Sequence, residues 1–300
     1  MACLDAKKNL GVGRCADMPR EIRGIVTTPS TFEISESNAA LQTQWQAALV
    51  AAANVRIFLW PMFKTIPEFI GTETTYEDTP VSYSHVIDGR YRWRAQISKS
   101  LCFHKAAYTH RSNNDRIWLI DGGNRLIGTY LRDEGGEAIL GGFSMDLLHT
   151  ENLMFNDGSV SSSTPLVIAL KDPNEVNHDV YGAVLVAAPW IGQLAALTDV
   201  VITVVSADAS EVVVTVKVAC DLTPVNGLVL ADFVVLDSAG SPVTVTGAPE
   251  TGDGEYTLAS AAAFADDDTI TLDAPASLSV YPQSAYEANT VMLVVPFPSV

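Results

Sequence analysis

Downstream of Ala196 the chain has a single basic residue, Lys217, and neither histidine nor tryptophan. Against that one base stand 14 acids, a formal charge of −13, whereas the first 196 residues hold 17 bases and 21 acids, formally −4. So acidic a module repels nucleic acid and anionic membrane over roughly a Debye length and is a poor surface for either. Charge is scarce overall. Of 300 residues 18% are charged and 48% hydrophobic, which excludes the composition of a disordered chain. Cysteine is scarce too: Cys3, Cys15, Cys102 and Cys220 lie far apart with no C-x-x-C, and they read as small buried thiols. No apolar segment follows Lys7 and Lys8 as a secretory signal requires, so synthesis in the cytoplasm is expected. The uncharged run 180–198 contains Gly182, Pro189, Gly192 and Gln193 and has no close basic flank, so it reads as a buried strand entering a linker and not as a membrane span.

Two compositions in a chain longer than one core usually sustains imply two modules, a β-rich assembly domain over 1–196 and an acidic immunoglobulin-like (Ig-like) domain over 197–300. Residues 1–35 show no period beyond one strand at 24–28. Leu41, Trp45, Ala48, Leu49 and Ala52 recur at helical spacing behind Ser37 as N-cap, predicting one helix over 37–54. A buried strand at 56–60 ends at Pro61. Residues 62–84 then read as a long loop whose aromatics, among them Phe63, Phe69 and Tyr76, favour a packed or partner-bound loop over a floppy one.

A meander follows. Arg90, Arg92, Arg94 and Gln96 alternate with Tyr91, Trp93, Ala95 and Ile97, giving one basic and one apolar face. Turn signals around Asn113-Asn114-Asp115, Asp121-Gly122-Gly123-Asn124 and Glu134-Gly135-Gly136 bracket strands at 116–120 and 125–131, with 166–170 and 181–187 as the last. Beyond 196, seven strands are expected at 200–206, 211–219, 232–237, 242–246, 255–259, 269–272 and 290–295. The fold class is therefore mainly β: an N-terminal antiparallel β-sandwich or barrel-like domain with one helix, followed by an Ig-like β-sandwich.

Chemical motifs are incomplete. Gly11-Val-Gly13-Arg-Cys-Ala16 has the spacing of a dinucleotide loop but no strand before it and Pro19 after it. Read along a strand, His104 and His110 stand about 20 Å apart, too far to share a metal. Gly142-Phe-Ser144-Met-Asp146 lacks the final glycine of a nucleophile elbow, and Asp266, Asp267 and Asp268 follow no calcium-loop pattern. No catalytic residue, cofactor or metal is expected. The nine bases between Arg90 and Arg132, interleaved with aromatics, suit a solvated sheet face, an acidic protein surface or nucleic acid. Because Tyr91 and Trp93 fall opposite the arginines, Arg90, Arg92 and Arg94 are expected to meet carboxylates of a neighbouring subunit or attached partner.

The segments Asp237-Ser-Ala-Gly-Ser-Pro-Val243 and Gly254-Glu-Tyr-Thr-Leu258 resemble Ig-like modules appended to bacterial surface and phage virion proteins. Together with Gly71-Thr-Glu-Thr-Thr-Tyr-Glu-Asp-Thr-Pro80 and Asp88-Gly-Arg-Tyr-Arg-Trp93, the arrangement resembles tailed-phage major tail (tube) proteins. That resemblance implies a virion component assembled in the host cytoplasm, stacking as homo-oligomeric rings around a channel through which DNA passes, with other virion proteins as partners and no membrane. It implies no enzyme. It also makes 62–84, with Phe63, Phe69 and Tyr76, and the arm 3–35 candidates for contacts between subunits. A capsid-decoration, connector or fibre protein is the alternative, and a carbohydrate- or cell-surface-binding β-sandwich is another.

Overall fold

In the computed structural model the described residues are 19–51, 54–70, 74–78, 83–87, 91–110, 115–156, 158, 161–177, 182–194, 197–273, 285–288 and 290–293, with the backbone alone at 74–78, 83–87 and 285–288. The dinucleotide-like loop at 11–16, Arg90 and Arg111 lie outside them. The chain divides into two compact units, Met1–Leu194 and Ala195–Val300.

The first unit carries β1 (Ile22–Thr28), β2 (Ile34–Ser35), α1 (Glu36–Ala39), α2 (Gln42–Leu49), β3 (Phe58–Leu59), β4 (Glu68–Phe69), β5 (Thr74–Asp78), β6 (Tyr83–Ile87), β7 (Arg92–Ile97), α3 (Leu101–Thr109), β8 (Arg116–Asp121), β9 (Arg125–Glu134), β10 (Glu137–Gly141), β11 (Phe143–Thr150), β12 (Thr164–Leu170), α4 (Asn174–Asn177) and β13 (Ala183–Ala187). Its main sheet runs β2-β10-β9-β8-β11-β12-β7-β4, with β1 on β8 and β13 on β9, and every pairing is antiparallel. β10 and β11 form nearly one run that changes partner as it goes: Gly141 pairs with β9, Phe143 with β8 and Leu148 with β12. Glycine permits that corner. A Cβ on Gly142 would stand 2.8 Å from the Ile117 backbone nitrogen, and one on Gly128 would stand 2.3 Å from the Trp118 ring.

Three expectations need correction here. The single helix over 37–54 is two, broken at Ala40 and Leu41, and Leu41 is exposed instead of core. Indoles explain the break: Trp45 Nε1 donates to the Ala39 carbonyl and Trp190 Nε1 to the Ala40 carbonyl, each at 2.9 Å, taking acceptors that a continuous helix would use itself. A further helix, α3, occupies what reads as strand around His104; Ser100 Oγ caps it by accepting from the Phe103 N–H, and Ala107 is buried. The segment 62–84, read as loop, also holds strands among its described residues, since β4 pairs with β7 and β5 pairs with β6.

The second unit carries β14 (Leu197–Ala207), β15 (Glu211–Val218), β16 (Phe233–Leu236), β17 (Val245–Gly247), β18 (Glu250–Gly252), β19 (Glu255–Ser260), β20 (Thr269–Leu272), β21 (Ala285–Ala288) and β22 (Val291–Met292). One sheet runs β17-β19-β15-β14-β21, with β18 on β19, and the other runs β16-β20-β22. Period-2 alternation makes this a sandwich: Val212, Val214 and Val216 of β15 share one core with Val235 of β16 and Ile270 of β20. The fold is mainly β, as the patterning requires. Tyr256 of β19 is fully buried, and its hydroxyl accepts from the Leu228 N–H at 3.1 Å and donates to the Val225 carbonyl at 2.7 Å.

Within the run 180–198 the described residues form strand β13, a tight 3-10 turn at Ile191–Gln193 and the start of β14. Among the described residues no helix is long and apolar enough to cross a membrane. Cys102 and Cys220 each take part in a disulfide, the first half-buried and the second exposed, which overturns their reading as buried thiols. Four cysteines scattered over more than 200 residues form no spacing from which pairing can be read.

Candidate functional site

Strand β7 shows the expected alternation: Arg92 and Arg94 are exposed, while Ala95 and Ile97 are buried and Trp93 packs against the core. The arginines do not act as one group. Arg94 Nη2 donates to Glu151 Oε2 of the same chain at 2.7 Å, and the β4–β7 register sets Glu68 opposite Arg94. Its carboxylate partner is therefore internal, contrary to the expectation of one from a neighbour. The wider basic stretch dissolves likewise. Arg116 pairs with Glu175, Arg125 with Asp121, and Arg132 with Glu33 and Glu134, because successive strands carry these bases to different places. Arg92, Lys99 and Lys105 remain exposed, with no ion pair among the described residues.

The aromatic candidates separate in the same way. Phe63 donates its N–H to the Arg23 carbonyl at 2.7 Å and packs half-buried on the unit's own core, so it is not free to meet a neighbour. Phe69, at the edge of the sheet, is 56% exposed. Its ring lies 5.9 Å from Trp93 and 6.0 Å from Tyr91, whose own rings stack at 5.9 Å. Ile66 is 65% exposed and Met62 is exposed as well, so three large apolar side chains of this segment reach solvent. Tyr76 lies in β5, and its side chain is outside the described residues.

Ser144 is held in a hydrogen-bonded cluster with Glu175 and Arg116. Its hydroxyl donates to Glu175 Oε1 at 2.7 Å and its backbone N–H to Glu175 Oε2, while Arg116 holds the same carboxylate and the Gly142 carbonyl. Among the described residues no imidazole is hydrogen-bonded to Ser144. His104 lies on α3 and His110 just past its end, with Thr164 Oγ1 3.3 Å from His104 Nδ1 and His110 packed edge-on to Phe58 and Trp60. Asp268 is a buried turn residue accepting from the Ala265 N–H, while Asp266 and Asp267 are exposed. Among the described residues no three His, Cys, Asp or Glu side chains are grouped to hold a metal ion.

One hollow escaped sequence reasoning. It opens beside the Arg94–Glu151 pair, with a volume of ≈ 430 Å³, and is lined by Arg94, His149, Glu151, Asn152, Met154 and Pro165. Its residues come from three strands and the loop after β11, so only register brings them together. Nothing in their sequence spacing announces this. No protein-family model matches the chain, and no curated protein matches it either.

Proposed function

We infer that the chain is a self-assembling virion structural protein, a tail-tube subunit stacking in rings around a DNA channel, with the acidic sandwich as an appendage. The observation that carries this reading is the exposure of Met62, Ile66 and Phe69, the last lying at the sheet edge against Tyr91 and Trp93. A monomer rarely leaves such a patch in water, and interface cores are enriched in aromatics and methionine. The two disulfide-bonded cysteines suit a particle that leaves the reducing cytosol after assembly. Capsid-decoration, connector and fibre roles would use the same edge with a different symmetry.

Because β4 and Phe63 belong to the fold, point changes test this better than deletion of 62–84. The double variant Ile66→Ser, Phe69→Ser should stay folded and monomeric while the wild-type chain forms rings or tubes in negative-stain images and sediments as an oligomer. A wild-type chain that remains strictly monomeric at high concentration overturns the reading.

A further inference from the structure

We propose that the hollow beside Arg94 and Glu151 binds a neutral saccharide. The sheet itself builds the site. Val167 of β12 pairs with Arg94 of β7 on one side and with His149 of β11 on the other, so the two polar side chains stand in one row across a buried valine. The chain then leaves β11 through Glu151 and Asn152 and returns to β12 through the Met154–Ser163 bridge, bordering an open hollow of ≈ 430 Å³. That size falls within the range of small-molecule sites.

Charge and hydrogen-bonding capacity select the ligand class. One guanidinium and one carboxylate line the hollow and are joined at 2.7 Å. An anion would face Glu151 and a cation Arg94, so each loses on one partner what it gains on the other. The ion pair occupies one N–H of Arg94 and one oxygen of Glu151. The remaining Arg94 donors, the second Glu151 oxygen, the Asn152 amide and the His149 ring make no hydrogen bond to described residues. Planar groups that donate and accept side by side match vicinal hydroxyls, each of which is both donor and acceptor. Met154 and Pro165 supply apolar surface for the C–H side of a sugar ring, and Phe155, next in the chain, is 78% exposed.

The test applies full-length protein to an array of neutral, sialylated and sulfated oligosaccharides, then titrates the best neutral binder calorimetrically. We expect a neutral glycan to bind, and Glu151→Gln and Asn152→Ala each to weaken it by about tenfold or more while the tryptophan-detected melting curve is unchanged. Absence of any neutral binder at millimolar concentration, binding confined to the anionic glycans, or unaltered affinity in both variants would each overturn the site. Repeating the titration on the Ile66→Ser, Phe69→Ser monomer separates failure to bind from failure to assemble.

Discussion

The two units bury a sheet face with different side chains, and the contrast sets how each is held. In the second unit the core has no tryptophan: valines of β14 and β15 pack against Val235, Ile270 and Leu272, with Phe233, Tyr256 and Phe264 as its buried aromatics, and the Tyr256 hydroxyl joins the Asp232 and Asp268 carboxylates as a buried polar group. In the first, Trp45 is packed by Phe32, Trp118 and Trp190 at ring distances of 5.2 to 6.3 Å; backbone carbonyls receive the indole N–H groups of Trp45 and Trp190, while that of Trp118 is buried without a partner among the described residues. Aliphatic strands need only alternation. Aromatic cores also need partners for polar edges and close-approach glycines, so the first unit depends on more particular contacts.

The contact expected to cost most is in the first unit. Asp121, its side chain fully buried, accepts from the backbone N–H groups of Arg20, Gly123 and Arg125 and from Arg125 Nε and Nη2, the last at 2.6 Å. Burial pushes its pKa up, but Arg125 and the three backbone donors outweigh burial and hold it below the usual carboxylate value. Asp121→Ala should cost about 3 kcal/mol, because it leaves Arg125 and the turn donors without their acceptor. All five tryptophans lie in the first unit, so tryptophan fluorescence reads that unit alone. A group with a lowered folded pKa stabilises fully above its unfolded value near 3.9 and loses that contribution as pH falls through the folded value. The wild-type fluorescence transition should therefore weaken below about pH 4, and the variant should lack that share of the loss. An Asp121→Ala chain that melts like wild type would break the contrast between the units.

How much of this was legible in sequence follows the same division. Val212, Val214 and Val216 alternate without interruption, so β15 is readable to within a residue. α3 was missed although Ser100 and the Phe103, Ala107 spacing signal a capped helix, because the arginine-rich strand before it suggested that the meander continued. The break between α1 and α2 depends on Trp190, 150 residues away, and no local pattern carries it. Of the assembly candidates, alternation placed Arg92 and Arg94 outward correctly, but that Glu151 neutralises Arg94, or that Phe63 turns inward, is decided by strand order and register.

A smaller loss is expected in the second unit from Tyr256→Phe. The ring stays packed against Phe233, with centroids 5.3 Å apart, but the buried Leu228 N–H loses the hydroxyl that accepts it. Leaving such a donor unsatisfied costs about 1 to 3 kcal/mol. Hydrogen exchange of the β15 amides should speed accordingly while the tryptophan transition stays in place. If both move together the units are not independently stabilised, and the comparison needs revision.

The smallest effect uses a difference in composition. The second unit has no histidine, so no imidazole there changes charge near neutral pH. In the first unit His110 caps the end of α3 with its ring 4.5 Å from Phe58 and 5.7 Å from Trp60. Burial lowers its pKa, and the opposing pull of the Asp115 carboxylate is smaller. The folded form therefore takes up a proton less readily than the unfolded chain. Its contribution is complete above the unfolded value near 6.5 and is lost as pH falls through the folded value. Asp115, whose own pKa burial raises, acts in the opposite sense, losing its contribution as pH rises through its folded value. Lowering the pH from about 7.5 to about 5.5 should shift the tryptophan-detected transition down by less than about 1 kcal/mol, since the ring remains partly in water. Amide exchange in β15 should not respond. His110→Phe keeps an aromatic ring between Phe58 and Trp60 and removes the titration, so its fluorescence transition should vary less with pH than wild type over this range. Equal pH dependence in the two chains would assign the effect to groups other than His110.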